Sequence, residues 1–255
     1  MVKPASRAPR RIALAVVLAM VTVAVPALAY KTDRSGKNLA GRNFSRQNLF
    51  SVTFRGANLV GANLTYTVMD KVTFEGANLQ RAKLIGAKLR PDRVGHRRVG
   101  RRVEKRTIKA RPVSFKGADG RRARFIRAHL PGSNFHGARL GHANFSDARL
   151  GKSRFRGADL AGAVLKSADL SRCNFYGATL AHATLEGANL RGANLYGANL
   201  GSASLKGADL RGASLVGADL RNADLCRVKC DEATNTSGAK INGARCQASF
   251  VRYCR

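Results

Sequence analysis

The chain contains no tryptophan and only five tyrosines, and acidic residues are scarce: 15 Asp plus Glu stand against 46 Lys plus Arg, a formal net charge of +31 over 255 residues. That imbalance predicts attraction to anionic matter, whether nucleic acid, anionic polysaccharide or a lipid headgroup surface, and composition alone does not choose among them. No glycine-rich phosphate loop is present, because most of the 26 glycines are corner residues at a period of five. The histidines are scattered as His96, His129, His136, His142 and His182. Ser and Asp residues, Asp159 and Asp219 among them, fall in routine slots of a repeat and have no fixed catalytic companions. With no convergent acid, base or nucleophile, the chain is not expected to be an enzyme, nor to hold a cofactor or a metal.

Long apolar runs are missing too, apart from one at the start. Lys3, Arg7, Arg10 and Arg11 precede IALAVVLAMVTVAV, and the small-residue end PALA follows. This reads as an export signal over residues 1–29, cleaved after Ala29, for a periplasmic or extracellular protein. The alternative is an uncleaved membrane anchor, but the stretch from Ile12 to Ala29 includes Thr22 and Pro26 and only just reaches across ~30 Å of hydrocarbon. Arg10 and Arg11 leave the twin-arginine and general export routes both open. Without the signal the net charge is +27: +7 for residues 30–89, +16 for 90–172 and +4 for 173–255.

What the chain does have is a repeat. From Phe115 to Leu225 every fifth residue is Leu or Phe in 22 of 23 positions, Gly120 being the exception, and Ala stands two residues earlier in 19 of them. A block from Leu39 to Leu89 keeps the same spacing for 11 positions, with Met69 its only departure. A period of five fits neither a helix nor a flat strand, so the chain must turn a corner once per repeat. The exceptions to Ala show how many corners close a coil: Val113, Ser133, Ser153 and Cys173 fall at every fourth repeat, and each precedes a Phe. Residues four repeats apart are therefore stacked neighbours, and four repeats make one coil. His142 and His182 then share a column but lie two coils, ~10 Å, apart, too far to share a metal.

The copies GANLRGANLYGANL and LKGADLRGASLVGADL resemble the pentapeptide repeat family, whose A-(N/D)-L-x-x repeats fold as a right-handed quadrilateral β-helix. The resemblance implies an all-β solenoid in which the central Leu or Phe and the small residue before it point inward. The 23 repeats of the second block make nearly six coils, ~28 Å of rod at ~4.8 Å per coil. The best-known members of the family mimic DNA and protect a topoisomerase, which requires an acidic, cytoplasmic rod, so a basic chain with an export signal does not inherit that role.

The expected organisation is a lead-in at 30–36, repeat blocks at 37–90 and 113–227, a basic insertion at 91–112 and a cysteine-containing cap at 228–255. After Leu225, Cys226, Cys230, Cys246 and Cys254 point to two disulfides with three possible pairings. C-x3-C with C-x7-C is not zinc spacing. SGAKI and NGARC hint at a last irregular turn through Ile241 and Cys246, while Cys173 sits at an inward position as a buried thiol. The insertion reads as an extruded loop or irregular hairpin. Candidate anion-binding residues are Arg97, Arg98, Arg101, Arg102, Lys105 and Arg106 in it, and Lys116, Arg121, Arg122, Arg154 and Arg156 beside it. The expected partner is an anionic polymer or surface, bound without sequence specificity. The alternative is a scaffold with a protein partner, its oligomeric state open.

Overall fold

In the computed structural model of the chain, residues 32–90, 93–99, 102–108 and 111–254 are described. The expected export signal, residues 1–29, lies outside them. The fold follows from the hydrogen bonds of one repeat, Val113 to Gly117. The amide of Phe115 donates to the Asn134 carbonyl one coil on (2.7 Å), and Asn134 donates back to Val113 (3.0 Å). Gly117 donates to His136 of the next coil (2.9 Å), and Ala118 closes the corner by donating to Phe115 (3.0 Å). One amide of the five is left, that of the residue after the centre, and the slot side chain takes it: His136 N–H donates to Asn134 Oδ1 at 3.1 Å. Tyr176, Tyr196 and Arg191 repeat this bond with Asn174, Asn194 and Asn189. Asn and Asp are favoured before the centre because their side chains close a local turn onto an amide that no other strand reaches.

The second corner residue carries positive φ whether it is glycine or not, as at Gly117 (64°), Arg122 (58°), Arg127 (55°) and Gly132 (68°). One corner of the tube takes glycine each time, from Gly56, Gly76 and Gly117 through to Gly217, which is the residue with no steric cost there.

Four parallel ladders make the four faces. Face 1 runs Asp33, Thr53, Thr73, Ser114, Asn134, Arg154, Asn174, Asn194, Ser214 and Asn235. Face 2 starts at Asn38, face 3 at Asn43. Face 4 holds β1 (Asn48–Phe50), β2 (Val68–Asp70) and β3 (Lys88–Leu89), paired in that order. The ten rungs of face 1 span ~43 Å at ~4.8 Å per step. The coil period alone would pair Thr73 with Arg93, but its partner is Ser114, so the two repeat blocks form a single tube and the chain between them is extruded. The extruded part is an antiparallel hairpin of β4 (Arg93–Val99) and β5 (Arg102–Ile108).

Inside, the central Leu and Phe and the Ala before them are almost wholly buried. Phe54, Phe74, Phe115, Phe135, Phe155 and Phe175 stack face to face down face 1 with centroids 4.6–5.1 Å apart. Phe125 and Phe145 do so on face 3 at 4.5 Å and meet the first column edge-on. This crossed packing fills the tube with both favourable aromatic geometries.

The start extends further than the sequence implies, whereas the last irregular turn hinted at by SGAKI and NGARC is present. The lead-in is already a rung: Asp33 pairs with Thr53, with Arg34 in the central place and its guanidinium 5.3 Å from the Phe44 ring centre. At the other end Asn235, Lys240 and Arg245 continue the ladders of faces 1, 2 and 3. One residue is inserted after Lys229, and Asp231 repairs the break. Gly192 donates to the Arg211 carbonyl, but the equivalent Gly212 amide donates to the Asp231 carboxylate at 2.7 Å. A short helix, α1 (Gln247–Tyr253), follows, burying Phe250 and Cys254. Of the three pairings the bonded one is Cys226–Cys246 with Cys230–Cys254, which ties both the closing coil and the helix to the last regular coil. Cys173 is free and buried; burial pushes its thiol up to about 12.

The interior can be probed at adjacent positions. Phe135→Ala should cost ~3–5 kcal/mol in urea unfolding, whereas Ser133→Ala should be neutral or stabilising, because Ser133 Oγ is buried with no hydrogen-bond partner among the described residues. In an alkylation assay at pH 8 the native protein should stay unmodified, and one thiol should react once denaturant is added.

Candidate anion-binding surface

Side chains reach solvent from the slot before each centre and from the two corner residues after it. The hairpin leaves the tube at the corner between faces 4 and 1. Its base is fixed by Asp70, whose carboxylate accepts the Arg111 amide at 3.1 Å and lies 3.9 Å from the Arg90 guanidinium. Arg90 also covers the Phe50 ring at 4.5 Å. The strand register sets Arg97 opposite Glu104, Arg98 opposite Val103, His96 opposite Lys105, Gly95 opposite Arg106 and Val99 opposite Arg102. Arg101 lies outside the described residues.

Further along the same corner stand Lys152, Arg172, Arg191 and Arg211. With Ser171, Asn189, Gly192, Gly212 and Asp231 they line an open depression of about 520 Å³. Glycines at 192 and 212 leave the space that a side chain would fill. Arg211 is held by Asp209 through two bonds of 2.9 and 2.6 Å, and Arg191 approaches the same carboxylate at 3.6 Å. Lys152 and Arg172 have no ion pair among the described residues.

The other expected residues divide between two corners. Lys116 and Arg156 share the corner between faces 1 and 2, two coils apart with His136 between them, and Arg154 occupies face 1 beside Arg156. Arg156 lies 5.2 Å from the Tyr176 ring centre, and Tyr176 stacks on Tyr196 at 5.3 Å. Arg121 and Arg122 lie at the corner between faces 2 and 3. Arg121 folds back onto Asp119 with bonds of 2.9 and 2.7 Å, so its charge is locally matched while that of Arg122 is not. None of the row Lys152, Arg172, Arg191 and Arg211 belonged to the expected anion-binding set. Its signal was a basic residue recurring after exactly one coil, from 152 to 172 and from 191 to 211.

The acids are tied down in a regular way. In ADLR at 208–211 and at 218–221, the slot Asp accepts the amide and the guanidinium of the same Arg two residues on. The Arg221 side-chain bond lowers the Asp219 carboxyl to about 2, and Arg211 lowers Asp209. At Asp119 burial pushes the carboxyl up, but the bonds from Arg121 outweigh it and the net shift is downward. Among the described residues no group of three or more His, Cys, Asp or Glu is placed to hold a metal ion, and no helix there is long and apolar enough to cross a membrane.

A filled four-sided tube that turns its variable residues outward is a β-solenoid scaffold. Pentapeptide repeats match the chain in eight copies, over residues 35–65, 57–90, 113–141, 138–175, 173–212 and 203–234. The chain therefore belongs to the pentapeptide repeat family, a family of right-handed quadrilateral β-helices whose members are generally structural or interaction proteins. Among solved structures, trypsin-treated QnrB1, a plasmid-mediated fluoroquinolone resistance protein, is similar at a TM-score of 0.59 and 21% identity, over 78% of this chain and 92% of that one. HetL, a pentapeptide repeat protein involved in heterocyst differentiation regulation from the cyanobacterium Nostoc sp. strain PCC 7120, aligns at 28% identity over 83% and 87% of the two chains, with a TM-score of 0.39. No curated protein matches the chain.

Lowered carboxyls set the acid limit of the rod. A folded pKa below the unfolded one stabilises above the ordinary value and is lost as pH falls through the folded value. The urea midpoint should stay level down to about pH 4 and drop between 3.8 and about 2, the ordinary and folded values for Asp219. Asp219→Asn, which keeps the turn bond, should flatten part of that drop.

Proposed function

We propose that this protein is an exported, non-enzymatic rod that binds an anionic envelope or extracellular polymer, such as an acidic glycan, lipopolysaccharide or nucleic acid. The observation that carries the reading is the sharing of one corner by the base of the hairpin and the row Lys152, Arg172, Arg191 and Arg211. Residues 90–113 carry ten Lys or Arg against two acids, so this edge joins a dense cationic arm to a rigid series of cations at coil spacing. A chain-like anion laid along the rod would meet successive positive groups and release counterions as it bound, giving a steep salt dependence. The two disulfides fit an oxidising compartment, in keeping with the export signal read at residues 1–29.

The test uses the period itself. Replacing residues 91–112 with a single glycine restores the five-residue spacing between Leu89 and Phe115, so the tube should close without the hairpin. The secreted protein should be retained on heparin to high salt, and the shortened variant should elute markedly earlier with a shallower salt dependence. Elution of the unaltered protein at low salt, or identical elution of the two, would instead favour a scaffold with a protein partner.

A further inference from the structure

A second, smaller site lies on a different edge, at the corner between faces 2 and 3. There Arg81, Arg122 and His142 occupy the second corner position of three successive coils, and Gln80, Arg121 and Gly141 the first. Together they line a recess of about 260 Å³. Arg81 and Arg122 are neighbours in the column, about one coil spacing, ~4.8 Å, apart along the rod, and neither has an ion pair among the described residues. Two carboxylates stand near the recess: Asp159, beside Gly141, acts on Arg121, and Asp119 is engaged elsewhere. Asp119 is bonded to Arg121 at 2.7 Å, approached by Arg139 at 3.7 Å and bonded to Gln80 Nε2 at 3.3 Å. Gly141 stands where other coils carry a corner side chain, which leaves the recess open beside Arg121.

The backbone conformation makes this grouping costly to build. Arg81, Arg122 and His142 have φ of 57°, 58° and 56°, the left-handed region that ordinary L-residues enter only at a steric cost. The same corner takes glycine at Gly41, Gly61 and Gly162 and smaller or uncharged residues at His182, Ser202 and Asn222, so the fold does not require arginine there. His142 lies against Gly162, where a side-chain carbon would collide with the imidazole. Two like charges thus stand at adjacent left-handed positions with no ion pair among the described residues.

We propose that this recess binds a tetrahedral oxyanion, a phosphate or sulfate group, either free or as an ester on a larger molecule. Guanidinium forks from two coils can donate to separate oxygens of one tetrahedral group, and each fork favours bidentate contact with such oxygens. A planar carboxylate offers only two oxygens and engages one fork well, so it binds more weakly. The site stands apart from the polymer edge: it uses none of the hairpin and none of the row Lys152 to Arg211.

Arg81→Gly/Arg122→Gly installs the residue that this corner accepts elsewhere, so the double variant should unfold at the same temperature as the parent or higher. In the parent, inorganic phosphate, pyrophosphate and a sugar phosphate should each shift the Arg81 and Arg122 Nε–Hε and His142 imidazole NMR signals saturably, and acetate should not. In the double variant the His142 shifts should require at least about tenfold more phosphate, as expected for loss of charge-assisted bonds. Tighter binding of the sugar phosphate than of inorganic phosphate would identify an esterified ligand; the reverse order would identify the free ion. Non-saturable shifts, equal response of parent and variant, or equal response to acetate would overturn the proposal. The hairpin-deleted protein should bind phosphate as the parent does, so failure here is separable from failure on heparin.

Discussion

The amide that follows each central Leu or Phe is the one donor that the coil-to-coil ladder leaves over, and how each repeat meets it shapes the surface of the rod. Three of the other four amides in a repeat bond from coil to coil and one closes the corner, but this one faces no neighbouring strand. A slot Asn or Asp supplies the missing acceptor from two residues back, as Asn134 does for His136. From that bond follow the Asn/Asp preference, the tightness of the corner and the left-handed residue that ends it. Since the inward Leu, Phe and Ala are set by the tube's width, the corner residues are left free of the fold's demands. Chemistry can then vary there without disturbing the core, the one steric cost being the left-handed conformation of a second corner residue that is not glycine, which is why this chain can carry so much charge on so regular a frame.

The same bond changes what a count of charges means. Where Arg follows a slot Asp by two residues, as in ADLR, both its amide and its guanidinium return to that carboxylate, so in the row at the hairpin corner Arg211 contributes less free charge than Lys152 and Arg172. Arg121, Arg211 and Arg221 belong to this class. Arg122 and Arg172, at the second corner position, do not. Net charge per segment, +16 for residues 90–172, locates the basic region but does not distinguish matched from unmatched cations.

The coil was legible because its exceptions repeat: Val113, Ser133, Ser153 and Cys173 fix four repeats per turn, and the structure stacks Phe115, Phe135, Phe155 and Phe175 accordingly. The ends were less legible. Arg34 and Thr236 stand in central places without being apolar, so a search for Leu or Phe passes over them, although their backbones or neighbours continue the ladder. The cap helix has only seven residues, too few for a hydrophobic period to declare itself. The disulfide pairing depended on the residue inserted after Lys229 and on the helix that brings Cys254 back over Cys230. The candidate anion site was only partly visible, because side chains from distant repeats meet at a corner only after the excess chain between the two blocks has been assigned to the hairpin. Until then, Arg81 and Arg122 have no evident relation.

A stack of near-identical coils resembles a coiled spring more than a globule, and it should come apart by peeling from a free end. The sulfur bridges Cys226–Cys246 and Cys230–Cys254 join three successive layers at one end, the last regular coil, the closing coil and α1, into a covalent ferrule. Unwinding cannot begin there while both bridges hold. Mechanical failure is directed toward the opposite end or toward the gap where the hairpin leaves the tube, so the rod has a preferred direction of yielding even though its repeats have none.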